Sequence, residues 1–294
     1  MGRVVVPAAI LGLGALLLTR PELAAEAVRQ GFALCAGSVL PAMFPFFVLS
    51  SAFLGCGGGA AAARVLDGVM GRLFGLSGAG GAAFFLGLVG GYPLGARCVG
   101  ELVRCGEISR QEAERLLGFC NNAGPAFILQ VVGLGVFGSL SAGVKLWVIH
   151  IASAVLCGIF FRRKRLDSLE KQTFFPQKPS VKVLVDAVAA GGLTCMQVTA
   201  FISFFLVLLK LWIDLTGLDA PGVLGFFEMT NGILALGRSR RDFALAAALL
   251  GWGGWCVHGQ SMAALSGCGV SMGYYFRGKV MQAVISAVLA WFWA

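Results

Sequence analysis

The chain has 294 residues, 58% of them hydrophobic and 13% charged, with a mean hydropathy of +0.85. That composition excludes a soluble globular protein, and the absence of alternating ten-residue strands excludes an outer-membrane barrel. The net charge of +9 sits in short segments between apolar runs, so it reports membrane orientation and not a nucleic-acid surface.

The expected fold is therefore an all-α polytopic membrane protein forming one integral domain over residues 1–294. There is room for about eight to ten membrane-embedded segments of ~20 residues. The first, near 4–19, lies within a stretch built like a signal peptide. Arg20 and Glu22 separate its apolar core from the following alanines, so it reads as a retained helix. Residues 22–40 predict an interfacial or tilted helix, and Pro41 and Pro45 predict a bend in 40–55. Over 64–78, Val65, Val69, Leu73 and Leu76 form one stripe of a helix lying at the interface.

Next comes "FFLGLVGGYPLGARCVGEL" (84–102), an apolar run interrupted by Gly90, Gly91, Tyr92, Pro93 and Gly95. Residues 98–118 predict a polar helix, in which Ser109 and Glu112 have capping-box spacing. "FCNNAGPAFILQVVGLGVFG" (119–138) sets Asn121, Asn122, Gly124 and Pro125 ahead of another apolar run, and a plain span follows near 144–161. The basic stretches 162–182 and 238–242 are expected to face the cytoplasm and to touch anionic lipid. In the second half, 187–209 is long and apolar, 222–236 is short and holds Glu228, 243–265 is broken by glycines, and 278–293 is the last span.

"FPFFVLSSAF" (44–53) is similar to "FISFFLVLLK" (201–210), and "LGLVGGYPLGA" to "LGWGGWCVHGQ". Paired interruptions of this kind predict two related halves, about 20–161 and 183–294, with a site where the broken helices meet. Unpaired backbone groups cannot face lipid, since each costs several kcal/mol. A break such as "GGYPLG" must be packed in protein or line a wet cavity, as a re-entrant hairpin or discontinuous helix. Its free amides could hold an anion. A packing kink is the plainer alternative.

Asn121 or Asn122 could cap a helix starting near Pro125, leaving the other amide for a ligand. Glu228, with Thr230 and Asn231 beside it, is either an intramembrane proton or cation site or an interfacial carboxylate. His258, Gln260 and Ser261 follow the second break; His258 could bind a carboxylate or serve structurally. Arg97 could neutralise an anion or snorkel to the interface. The nine cysteines lack metal-ligand spacing and read as small hydrophobes. With no nucleophile elbow or phosphate loop, neither enzymatic activity nor a cofactor is expected.

"GGYPLGARCVGELVRCGEISRQEAERLLGFCNNAGPAFIL" (90–129) resembles the sporulation integral membrane protein family YlbJ, also called SpoVV, and "GWGGWCVHGQSM" resembles its second glycine-rich motif. That family carries the nucleoside-recognition or gate domain and is similar to concentrative nucleoside transporters. The resemblance spans about 40–290; this chain is shorter than the family pattern, and Arg97 stands where a lysine is expected. It implies re-entrant hairpins, inverted repeats, and export of dipicolinic acid from the mother cell across the outer forespore membrane. The implied partners are a small anion and the bilayer; a coupling ion and an oligomeric assembly are compatible with it. A proton- or sodium-coupled nucleoside carrier using Glu228 and a non-transporting sporulation scaffold are the alternatives.

Overall fold

A computed structural model describes residues 2–163 and 180–294. The chain is an all-α polytopic membrane protein, and the described residues contain no strand. The basic loop expected over 162–182 lies outside the described residues except for 162, 163 and 180–182.

Helix α1 (Gly2–Thr19) stops at Arg20, and Pro21 opens α2 (Pro21–Leu34), where its missing N–H costs nothing. The bend between them is 98°. α2 runs on through a π-helical turn, π1 (Cys35–Val39), into α3 (Leu40–Gly55). The widened turn has a local cause: Pro41 cannot donate to the carbonyl four residues back, and its ring would strike it. A second bend, of 86°, separates α3 from α4 (Gly58–Phe74). Val65, Val69 and Leu73 are exposed along α4 as the stripe predicts, but the helix ends before Leu76, which turns inward and is buried.

α5 (Gly78–Gly90) and α6 (Leu94–Arg104) are separated by the Gly91–Pro93 break and fold back on each other. The expected polar helix over 98–118 is two helices, since the chain turns at 105–109 before α7 (Arg110–Cys120). The turn follows from Gly106, at φ +71°, and from Ser109, whose hydroxyl accepts from Glu112 N–H. The Glu112 carboxylate does not close the capping box; it accepts from Ser77 N–H at 2.6 Å.

After Asn121–Gly124 come the π-helix π2 (Phe127–Val136) and α8 (Leu140–Phe160). α9 (Val181–Thr216) is 36 residues long, extends well beyond the expected 187–209, and packs along α2 and α3. α10 (Pro221–Phe227) and α11 (Met229–Leu234) form a second folded-back pair around Glu228. α12 (Arg240–Trp252) and α13 (Gly254–Ala264) meet at Gly253, and α14 (Gly273–Trp293) closes the chain. α12 opens with a full capping box between Ser239 and Asp242.

By length and composition, α8 and α9 are the described unbroken helices able to cross a membrane, and each bent pair could supply one more span. α14, as long as α8, does not meet the same test of composition, and the shorter apolar helices are α5 and π2. Both folded-back pairs are held by facing glycines. A Cβ on Gly87 would lie 2.9 Å from the Gly95 Cα, and one on Gly232 would overlap the Gly225 backbone. Without side chains at these points the two arms touch backbone to backbone, which brings each tip into the interior.

Candidate functional site at the helix breaks

The tip of the first pair rests on the break after α7. Gly91 has φ +81° and ψ −175°, a region essentially reserved for glycine. A Cβ there would lie 2.9 Å from Gly124 N and 3.2 Å from its Cα. The second pair repeats the relation, because a Cβ on Gly254 would lie 3.0 Å from Met229 N and 3.1 Å from the Phe227 carbonyl oxygen. Each hairpin tip therefore sits against the break in the helix that follows it. In this respect Gly90–Pro93 is placed like the 227–229 tip, and Asn121–Gly124 like Gly253–Gly254. The sequence similarity instead pairs "GGYP" with "GWGG".

The breaks from both parts of the chain converge on one buried polar cluster. Tyr92 Oη donates to the Leu250 carbonyl (2.9 Å), in the last turn of α12. Lys279 of α14 donates from Nζ to Tyr92 Oη (2.7 Å) and to the Asn121 carbonyl (2.8 Å), and its ammonium lies 4.7 Å from the Tyr92 ring centroid. Its side chain is only 1% exposed. Among the described residues no carboxylate pairs with it.

The two asparagines do not cap the helix at Pro125. Asn121 Oδ1 accepts from Ala96 N–H (3.2 Å), capping α6, and its amide donates to Ser261 Oγ (2.8 Å). Asn122 donates to the Phe119 carbonyl and accepts from Gln282 Nε2, both at 2.8 Å. Pro125 opens the helical turn. The reason is geometric: the N-terminus of α6 lies directly over Cys120 and Asn121, where a Cβ on Gly95 would overlap the Cys120 carbonyl, so the asparagine nearest to it is drawn across.

His258 is buried, with Nδ1 2.9 Å from Tyr275 Oη, and Tyr275 Oη donates to Ser261 Oγ at 3.2 Å. Its ring meets Trp252 edge-on at 4.3 Å between centroids. His150 Nε2 accepts from Ala123 N–H (3.0 Å), and Ser286 donates to Ser153 (2.8 Å).

Arg97 is 6% exposed and does not snorkel. Nε pairs with Glu101 (3.1 Å) and Nη2 donates to Ser51 (2.6 Å), while the guanidinium lies over Phe47. It lines a cavity of about 210 Å³ with Pro93, Glu101, Arg104, Thr194, Gln197 and Gln260, smaller than the usual range for drug-sized ligands. Pro93 and Gln260, in its wall, are the chain neighbours of Tyr92 and Ser261. Arg97 Nη1, His150 Nδ1, His258 Nε2 and Gln282 Oε1 are buried without a hydrogen-bond partner among the described residues.

Glu228 is buried within the protein. Its carboxylate caps α11, accepting from Thr230 N–H (3.1 Å), Asn231 N–H (2.8 Å) and Asn231 Nδ2 (2.6 Å). Glu228, Thr230 and Asn231 thus form a self-contained tip beside Gly254, with no hydrogen bond to the Lys279 cluster.

Sequence reading missed His150, Tyr275, Lys279 and Gln282. A signal was present for three of them: Tyr275, Lys279, Gln282 and Ser286 recur at helical spacing within an apolar run, a polar stripe that must face protein. His150 has no such pattern. The Asn122–Gln282 bond is testable. Asn122→Leu and Gln282→Leu should each cost about 1–3 kcal/mol, because either leaves a buried amide unpaired, and the double variant should cost less than their sum. Thermal melts of the four proteins in detergent measure this; strict additivity would mean the bond contributes nothing.

The sporulation integral membrane protein YlbJ of Bacillus subtilis (strain 168) is 28% identical to this chain over 325 aligned positions, covering 95% of this chain and 79% of that protein. No family model matches. No solved structure matches. The match runs over almost the full length of the chain, which is thus similar throughout to a sporulation integral membrane protein.

Proposed function

We propose that the chain is a carrier for a small anionic aromatic solute in a sporulation membrane, with dipicolinate, moved from the mother cell toward the forespore, as the solute. The observation that carries this reading is the junction itself. Backbone breaks from both parts of the chain meet around a buried lysine that has no carboxylate partner among the described residues, beside a small cavity lined by a buried arginine. A planar dicarboxylate needs amide donors, positive potential and an aromatic wall. Arg97, Gln260 and the amides near Asn121 and Asn122 supply the first two, and Tyr92 the third.

Two related halves give such a carrier its alternating access. Three features support that relation. Each half runs folded-back pair, broken helix, long helix. Both broken helices begin Ser-Arg with an acid at the third helical position, at Ser109 and Ser239. α8 and α14 both have 21 residues, and the bonded serines occupy the same register, 153 from 140 and 286 from 273. An inverted arrangement of the halves is part of the proposal.

Dipicolinate counterflow in proteoliposomes tests it. The wild-type chain should exchange dipicolinate, and excess uridine should not compete. Arg97→Gln should raise the apparent KM by about tenfold, as expected for one charge-assisted contact of about 1.4 kcal/mol. Asn122→Ala and His258→Ala should lower flux without loss of protein from the membrane. Competition by uridine would favour a nucleoside carrier. Normal function in these variants, with loss on swapping the 162–182 loop, would favour a scaffold.

A further inference from the structure

Oxygen atoms freed by a helix break ordinarily serve to hold a free cation in carriers built from discontinuous helices. Here the Asn121 carbonyl, released where α7 stops, and the Tyr92 hydroxyl at the hairpin tip are such oxygens, and both already hold the Lys279 ammonium, at 2.8 and 2.7 Å. Tyr92 also presents its ring to the ammonium, a further cation-binding element. Through Tyr92 the same charge reaches the Leu250 carbonyl in the last turn before the second break. One side chain thus ties together the first hairpin tip, the end of α7 and the end of α12.

We propose that the Lys279 ammonium is a tethered coupling cation, so that solute movement is linked to gain and loss of a proton at Lys279 and not to sodium. This rests on the carrier reading above. Protonated, Lys279 holds the three elements together and offsets the charge of a bound anion. When the solute leaves, the ammonium gives its proton to water, becoming a neutral amine that holds the Asn121 carbonyl and Tyr92 more weakly. The empty carrier returns in that form and takes up a proton on the other side, which makes the net reaction symport of proton and anion.

The titratable groups around Lys279 are Tyr92, Cys120 from α7, His150 and Cys157 from α8, His258 from α13, and Tyr275 of its own helix. None is a carboxylate. The charges of α12, the remaining helix packed on α14, are Arg240, Arg241 and Asp242 in its first turn, at the opposite end from Leu250.

Two measurements decide the matter. In proteoliposomes, an acid-outside pH gradient should raise initial dipicolinate uptake by about threefold or more over equal pH, while an inward sodium gradient should not. Whatever exchange Lys279→Gln retains should be indifferent to the pH gradient. Sodium stimulation of the wild type, or pH-gradient stimulation of Lys279→Gln, overturns the proposal. The second measurement needs no transport. In detergent, Lys279→Ala should gain about 3 °C or more in Tm from about 100 mM sodium or methylammonium over equal choline, and the wild type should gain nothing. Equal responses in the two proteins overturn it. If the wild type moves no dipicolinate, the carrier reading falls, and this thermal comparison still decides whether Lys279 occupies a cation site.

Discussion

Gly91→Leu is expected to insert at wild-type levels and to lose dipicolinate flux by about tenfold or more. A side chain in the left-handed half of backbone space costs about 1–2 kcal/mol, and the new Cβ would meet Gly124 N at 2.9 Å and Gly124 Cα at 3.2 Å. These are backbone atoms at a break, so nothing can rotate out of the way. The hairpin tip must lift, and Tyr92 is carried off both Leu250 and Lys279. Gly91→Ala should show most of the same loss, because the conflict arises at Cβ itself. Membrane yield, gel filtration in detergent and counterflow measure the effect. Unimpaired flux in a well-inserted Gly91→Leu protein would remove the contact between tip and break from the mechanism.

Gly278→Ala is expected to combine a large loss of stability with loss of transport. α14 crosses α7 where Gly278 meets Gly118; an added Cβ would overlap the Gly118 carbonyl oxygen and lie 2.6 Å from its carbon. Overpacking of this kind costs about 1–3 kcal/mol, equivalent to a fall in Tm of roughly 5 °C. Moving α14 outward also withdraws the adjacent Lys279 from the Asn121 carbonyl. A Tm and flux equal to wild type would show that α7 and α14 do not need this close approach.

Much of the site was legible because backbone breaks have a compositional cause. Glycine and proline inside apolar runs located three of the breaks, at Gly90–Pro93, Asn121–Gly124 and Gly253–Gly254, and the need to shelter unpaired backbone placed them in the interior. Partners were harder. Asn121 caps α6 and not the helix it precedes in the chain. Arg97 is buried because Glu101, one turn on, and Ser51, from another helix, meet it. Glu228, a candidate ion site by composition, satisfies both carboxylate oxygens within its own tip.

The amino-acid sequence alone determined that this is an all-helical membrane protein whose apolar runs are interrupted inside the protein, since hydropathy and helix-breaking residues are local properties. Tertiary structure alone decided which interruptions face one another and that Lys279, 158 residues from Asn121, stands between them. The energy of a buried charge depends on which oxygens surround it, and those oxygens come from segments with no fixed spacing in the chain.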